Sequence, residues 1–144
     1  MLDPAALKPF QVIHVYYEYQ AQAGDYKYFV VLCHEKFGGQ DYVLCLKATS
    51  RTEKYENDKE RMNGCVFYKE NEVPCFREKT AIQPDNIHPI PYDHLIEQEK
   101  RQRYSEKGML PADFGAKLSA AVRASRTLTK KKKQEILARL GEKL

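Results

Sequence analysis

The side chains that could do chemistry in this 144-residue chain are few and dispersed. Histidine is the side chain most easily tuned for acid–base work near neutral pH, and the four here, His14, His34, His88 and His94, follow no catalytic spacing. The four cysteines, Cys33, Cys45, Cys65 and Cys75, stand twelve, twenty and ten positions apart, so no C-x-x-C pair offers the two-point grip of a structural zinc site. Each lies in an apolar, strand-like segment, and four core thiols in a reducing compartment are expected. A metal held by Cys33, His34 and Cys45 is the weaker alternative, since this spacing does not make three side chains converge. No metal and no cofactor is therefore expected. The chain carries no G-x-S-x-G elbow, no phosphate-cradling P-loop, no G-x-G-x-x-G and no H-E-x-x-H.

Charge is distributed unevenly. The net charge is +4, but residues 115–144 carry nine Lys or Arg against two Glu, and the first 114 residues carry three more acids than bases. The excess ends in the run Lys130, Lys131, Lys132, Lys133, which falls in the first turn of an expected helix. Four cations there oppose the helix dipole, at a few tenths of a kcal/mol each. A site for phosphate, which favours helix N-termini, would explain the arrangement, with solubility as the competing explanation.

The elements that must position these groups are mostly strands. Phe10–Glu18, Tyr26–Cys33, Tyr42–Ala48, Gly64–Tyr68, Val73–Arg77 and Lys79–Ile82 are rich in β-branched and aromatic residues. Gly24-Asp25, Gly38-Gly39 and Asn63-Gly64 supply turn chemistry between them. Short strands at this spacing predict a small barrel or sandwich. Residues 49–62 are polar with nearly balanced charge and read as a long exposed loop; a charged surface helix is the alternative, weakened by Glu56 and Glu60 repelling at that spacing.

After Pro91 the pattern turns helical: one helix over Tyr92–Ser105, a second opened by Pro111 with Phe114, Leu118 and Val122 on one face, and a third capped by Thr127 or Thr129. The third carries Ile136, Leu137 and Leu140 on its apolar stripe and stops at Gly141. The apolar run Phe29–Cys33 is far short of the roughly 20 residues a membrane helix needs. No secretory pattern opens the chain, and the cytosol is the expected compartment.

Two stretches carry a family resemblance. GDYKYFVVLC, a Gly-containing turn leading into a basic residue and an apolar strand, is followed by YVLCLKATSR, a strand ending in hydroxyls. With KTAIQPDNIHPIPYDHL at residues 79–95, this order resembles the MazF/PemK family of toxin endoribonucleases. The resemblance covers roughly Phe10–Gly115. It implies an SH3-like barrel with C-terminal helices, usually dimeric, that cuts single-stranded RNA without a metal. Lys27 takes the place of the family's arginine, and Thr49 with Ser50 the place of its hydroxyl pair. A cation and hydroxyl donors at a strand end suit the chemistry, because negative charge builds on the phosphate oxygens in the transition state. Lysine offers a point charge where arginine offers a bidentate fork. Arg51 is a candidate substitute for that guanidinium.

The expectation is thus a mainly β chain with C-terminal helices, an SH3-like barrel domain with the first C-terminal helix over residues 1–114, and a basic helical extension over 115–144. The implied function is a metal-independent toxin-type endoribonuclease with Lys27, Thr49 and Ser50 at the reaction centre and Arg51 with Lys130–Lys133 on RNA. Its expected partners are single-stranded RNA, an acidic antitoxin protein and a second copy of the chain, with no membrane. The alternative is a noncatalytic barrel module that binds nucleic acid or a protein.

Overall fold

The computed structural model describes residues 1–17, 24–58, 62 and 64–144. Glu18 at the expected end of the first strand, Lys59 and Glu60 in the charged segment, and Asn63 of the expected Asn63-Gly64 turn lie outside the described residues.

The chain is mainly β. Six antiparallel strands, β1 (Gln11–Tyr17), β2 (Asp25–Phe37), β3 (Gln40–Thr49), β4 (Val66–Tyr68), β5 (Thr80–Pro91) and β6 (Tyr104–Met109), form one sheet in the order β4-β5-β3-β2-β1-β6. The helices are α1 (Glu53–Glu56), α2 (Tyr92–Lys100), α3 (Phe114–Ala124) and α4 (Lys130–Arg139), preceded by a 3-10 turn at Pro4–Ala6. Among these helices none is long and apolar enough to cross a membrane.

The sheet centre follows from side-chain alternation. Successive strand residues face opposite ways, and both faces of β2 are covered. Val30 and Leu32 enter one cluster with Val12, Leu46 and Ile82, while Phe29 and Val31 enter a second with Ile13, Val15, Cys45 and Ile90. That is why Phe29–Cys33 reads as an unbroken apolar run. Helices α3 and α4 cover the first face through Phe114, Leu118, Val122, Ile136 and Leu137, and Leu7 and Leu95 of α2 close the second. Residues on both sides of position 114 therefore share one core.

The β2–β3 hairpin closes at Gly38 and Gly39, with φ of 58° and 78°, between the paired residues Phe37 and Gln40. Two consecutive positive φ values define the tight turn whose twist matches the strands, and glycine adopts them without steric cost. Pairing registers shift between Val12 and Ile13, between Val31 and Cys33, and between Leu46 and Lys47. Such bulges bend and twist a sheet. The segment after β4 reaches across toward β6, where the Cys75 thiol stands beside Gly108.

Three expectations are corrected. Residues 101–105 do not continue the helix from Tyr92: it stops at Lys100, Gln102 takes a φ of 59°, and the chain turns back as β6, pairing with β1. Val73–Arg77 is a turn segment rather than a strand; Asn71 has a φ of 56°, and Pro74 lacks the N–H a ladder needs. The strand expected over Lys79–Ile82 runs to Pro91, kept in the sheet by pairing with β3 through Tyr42↔Pro91. The polar segment after β3 contains the single-turn helix α1, and Lys79 reaches it through an ion pair with Glu56 at 2.6 Å.

The C-terminal helices follow their local signals. Thr129 caps α4, its hydroxyl accepting from the Lys132 N–H at 3.2 Å. At the other end Gly141 has a φ of 75°, its N–H donates to Ala138 O, and Glu142 N–H donates to Leu137 O, a Schellman closure.

Candidate functional site

The cleft at the end of β3 joins five parts of the fold and has a volume of about 590 Å³. Ala48, Thr49 and Ser50 come from β3 and its exit, Tyr28 from β2, Cys75, Phe76, Arg77 and Glu78 from the segment after β4, Thr80 from β5, and Lys107 from β6. Two cations, one carboxylate and four hydroxyl-bearing residues from distant positions therefore meet at one concavity. The β2–β3 register, which pairs Tyr28 with Ala48, places the β2 and β3 contributions side by side.

The hydroxyls are oriented locally. Thr49 Oγ1 accepts from the Arg51 N–H at 3.1 Å, a turn that ends the strand, and Thr80 Oγ1 donates to the Glu78 carbonyl at 2.9 Å. Cys75 is buried, and burial raises its pKa, so its thiol stays protonated near neutral pH and is a poor nucleophile.

The site residues expected from sequence separate into groups. Thr49 and Ser50 line the cleft together. Lys27 does not. It pairs with Val15, one position beyond the Tyr28–His14 pair, and is not among the lining residues. Arg51 is exposed beyond Ser50 and is likewise not among the lining residues. The run Lys130–Lys133 lies in the first turn of α4, away from these lining residues. Two of the four serve packing between helices and loops: Lys133 Nζ donates to the Arg123 carbonyl at 3.0 Å, and Lys132 Nζ reaches the Asp85 carbonyl at 3.5 Å. Arg123 is in the last turn of α3, so Lys133 meets the negative end of that helix dipole, which offsets its unfavourable place on α4.

The expected metal alternative finds no support in the geometry of its histidine. His34 uses both ring nitrogens, one toward the Leu7 carbonyl at 2.6 Å and one toward the Tyr92 hydroxyl. Among the described residues no group of three His, Cys, Asp or Glu is placed to hold a metal ion.

The histidine that stands beside the cleft is His14. Its ring stacks on Tyr28 at 4.3 Å between centroids and on Tyr26 at 5.3 Å. Burial is the main cause of its lowered pKa; the Lys107 charge adds to the effect and Asp25 opposes it. His14 is consequently neutral at pH 7 and able to accept a proton or a hydrogen bond.

Sequence reasoning missed Tyr28, Arg77, Glu78 and Lys107 as cleft residues. Pro74 within Val73–Arg77 was the available signal for a turn. Lys107 had none, because its strand is polar and begins inside the segment expected as a helix over Tyr92–Ser105. No protein-family model, characterised protein or solved structure matches the chain.

Proposed function

We propose that this chain is a metal-independent endoribonuclease of MazF/PemK type, acting on single-stranded RNA at the β3–β6 cleft. The observation that carries the reading is the meeting of Arg77 and Lys107 with Thr49, Ser50 and Thr80 in one concavity. Cations and hydroxyl donors fixed around one phosphate stabilise the charge that grows on its oxygens as a ribose 2′-oxygen attacks. In this reading Arg77, in place of Lys27 and Arg51, supplies the guanidinium that grips the phosphate, with the bidentate geometry that lysine lacks.

The reaction needs a proton acceptor and no oxidant or metal. The 2′-hydroxyl gives its proton to a base as its oxygen bonds to phosphorus. The P–O5′ bond breaks, the departing oxygen takes a proton from water, and the products are a 2′,3′-cyclic phosphate and a 5′-hydroxyl. Glu78 is the carboxylate of the cleft lining and neutral His14 stands one ring away behind Tyr28. Each can act as the base, Glu78 directly and His14 through a water.

An SH3-like barrel belongs to this proposal, supported by the bulged antiparallel sheet and by the approach of Cys75 to Gly108 across its ends. So do a symmetric dimer, an acidic antitoxin and a cytoplasmic site of action, which the family resemblance implies. A noncatalytic RNA-binding module is the second reading, favoured by the lack of any histidine among the residues lining the cleft.

The test is cleavage of a mixed-sequence single-stranded RNA in excess EDTA by the wild type and by Arg77→Gln and Lys107→Gln. Cleavage by the wild type, lowered on the order of 10²-fold in each variant, supports the enzyme. Retained binding without cleavage in any condition selects the module, and no interaction with RNA overturns both.

A further inference from the structure

Beside the cleft, β1 and β2 carry aromatic rings in matched register. His14 opposes Tyr28 and Tyr16 opposes Tyr26, so all four side chains share one face of the two-strand ribbon. The rings form a column: Tyr28 and His14 are stacked at 4.3 Å with planes 30° apart, and His14 and Tyr26 at 5.3 Å with planes 25° apart. Tyr28 at one end lines the cleft, and Tyr26 at the other end is 46% exposed. Tyr16 stands edge-on to Tyr26, and the Arg103 guanidinium lies over the Tyr16 ring at 4.6 Å.

Core packing does not account for the outer half of this column. Tyr26 is among the most exposed large hydrophobic residues of the described chain, and a tyrosine left open to water gains little of the burial that stabilises an aromatic side chain. The hydroxyls of Tyr16, Tyr26 and Tyr28 engage no hydrogen bond within the described residues. Positive charge flanks the column, with Lys107 lining the cleft alongside Tyr28 and Arg103 over Tyr16, and Asp25 accepts from the Tyr26 N–H at 2.7 Å. Exposed aromatic faces between cations are the chemistry that holds single-stranded nucleic acid, where every base has a π-face and every linkage a negative charge.

We infer that the Tyr26–His14–Tyr28 column is a base-stacking site for single-stranded RNA. A nucleobase outside the cleft stacks on Tyr26 at the far end of the column, while Arg103 and Lys107 hold phosphates on either side of it. The inference rests on the proposed action of the cleft on RNA and adds to it the recognition of bases outside the cleft. Because stacking on tyrosine reads no hydrogen-bonding edge, this site requires the presence of a base and tolerates its identity.

Binding of a fluorescently labelled RNA octamer, 2′-O-methylated throughout to block cleavage, tests this by anisotropy. Full-length wild type, Tyr26→Ala and Tyr26→Phe are each titrated with the octamer and with copies in which one position at a time is abasic. Tyr26→Ala should weaken binding of the intact octamer by about five- to 150-fold, the range of one lost base–aromatic stack. Tyr26→Phe should bind as the wild type does. One abasic position should weaken the wild type by a similar factor and leave Tyr26→Ala unaffected, because the base and the ring form one interaction. Full additivity at every position, or equal binding by wild type and Tyr26→Ala, overturns the inference. If Tyr26→Ala fails to fold, the abasic series on the wild type decides alone: a position-independent response overturns the site. Binding with this signature but no cleavage of unmodified RNA keeps the stacking site and removes the catalytic reading. Cleavage without the signature does the reverse.

Discussion

Replacing Leu137 by alanine tests whether the basic C-terminal helix is structurally part of the sheet domain. Leu137 is fully buried in the cluster that also holds Val12, Val30, Leu46 and Ile82 of the sheet. Removing a buried leucine to alanine costs about 2–5 kcal/mol, the transfer free energy plus a term for the cavity left behind. A domain of this length is stable by roughly 7–20 kcal/mol, so the loss is a large share of the whole. With a urea dependence of about 2 kcal/mol per molar, a 3 kcal/mol loss lowers the unfolding midpoint by about 1.5 M. The assay is urea unfolding followed by far-UV circular dichroism and by the fluorescence of the ten tyrosines, since the chain has no tryptophan. Both signals should shift together and stay coincident, the mark of one cooperative unit. Leu137→Met, which conserves volume, should cost less than about 1.5 kcal/mol. An unchanged midpoint for the tyrosine signal, with only helical signal lost at lower urea, would refute the shared core.

Three further outcomes follow from local geometry. Thr129→Ala removes the α4 cap and should destabilise the protein by about 1 kcal/mol, with Thr129→Ser close to wild type in thermal melts; equal melting of all three would refute the capping role. Burial lowers the pKa of His88, and burial with the Lys107 charge lowers that of His14, so the unfolded chain takes up protons that the native state resists. Stability is then fully present above about pH 6.5 and declines as the pH falls toward the lowered native values, and His14→Gln or His88→Gln should flatten that decline between pH 7.5 and 5.5. In the lysine run, Lys130→Gln with Lys131→Gln should reduce the salt slope of RNA binding by about 0.7 per lost phosphate contact, while Lys133→Gln should lower the melting temperature because it removes the contact to the end of α3. An unchanged slope assigns Lys130 and Lys131 to solubility.

The parts of the fold legible in the sequence are those specified by local chemistry. The Gly38-Gly39 turn, the apolar centre of β2, the cap at Thr129 and the stop at Gly141 each depend on a few adjacent residues. Strand β6 was hidden because YSEKGM is polar and lies on an edge, where pairing with β1 decides its conformation. The long β5 was hidden for a related reason: its three prolines argue against a strand, yet the sheet places β4 beside only its first residues and leaves the rest as an edge where missing N–H groups are tolerated. Thr49 and Ser50, singled out by the family resemblance, both line the cleft. Lys27 is not among the lining residues, and Tyr28 beside it is, a one-residue distinction that a short motif does not resolve. Arg77 comes to the cleft from the segment after β4 and Lys107 from β6, a meeting of distant segments that no local pattern encodes.

The most direct test of the central claim is analysis of the RNA ends left after incubating the purified chain with a mixed-sequence single-stranded RNA in excess EDTA. Fragments ending in 2′,3′-cyclic phosphate and beginning with a 5′-hydroxyl are expected, with no cleavage where the 2′-oxygen is methylated. Intact RNA, cleavage only after magnesium is restored, or cleavage that survives 2′-O-methylation would contradict it.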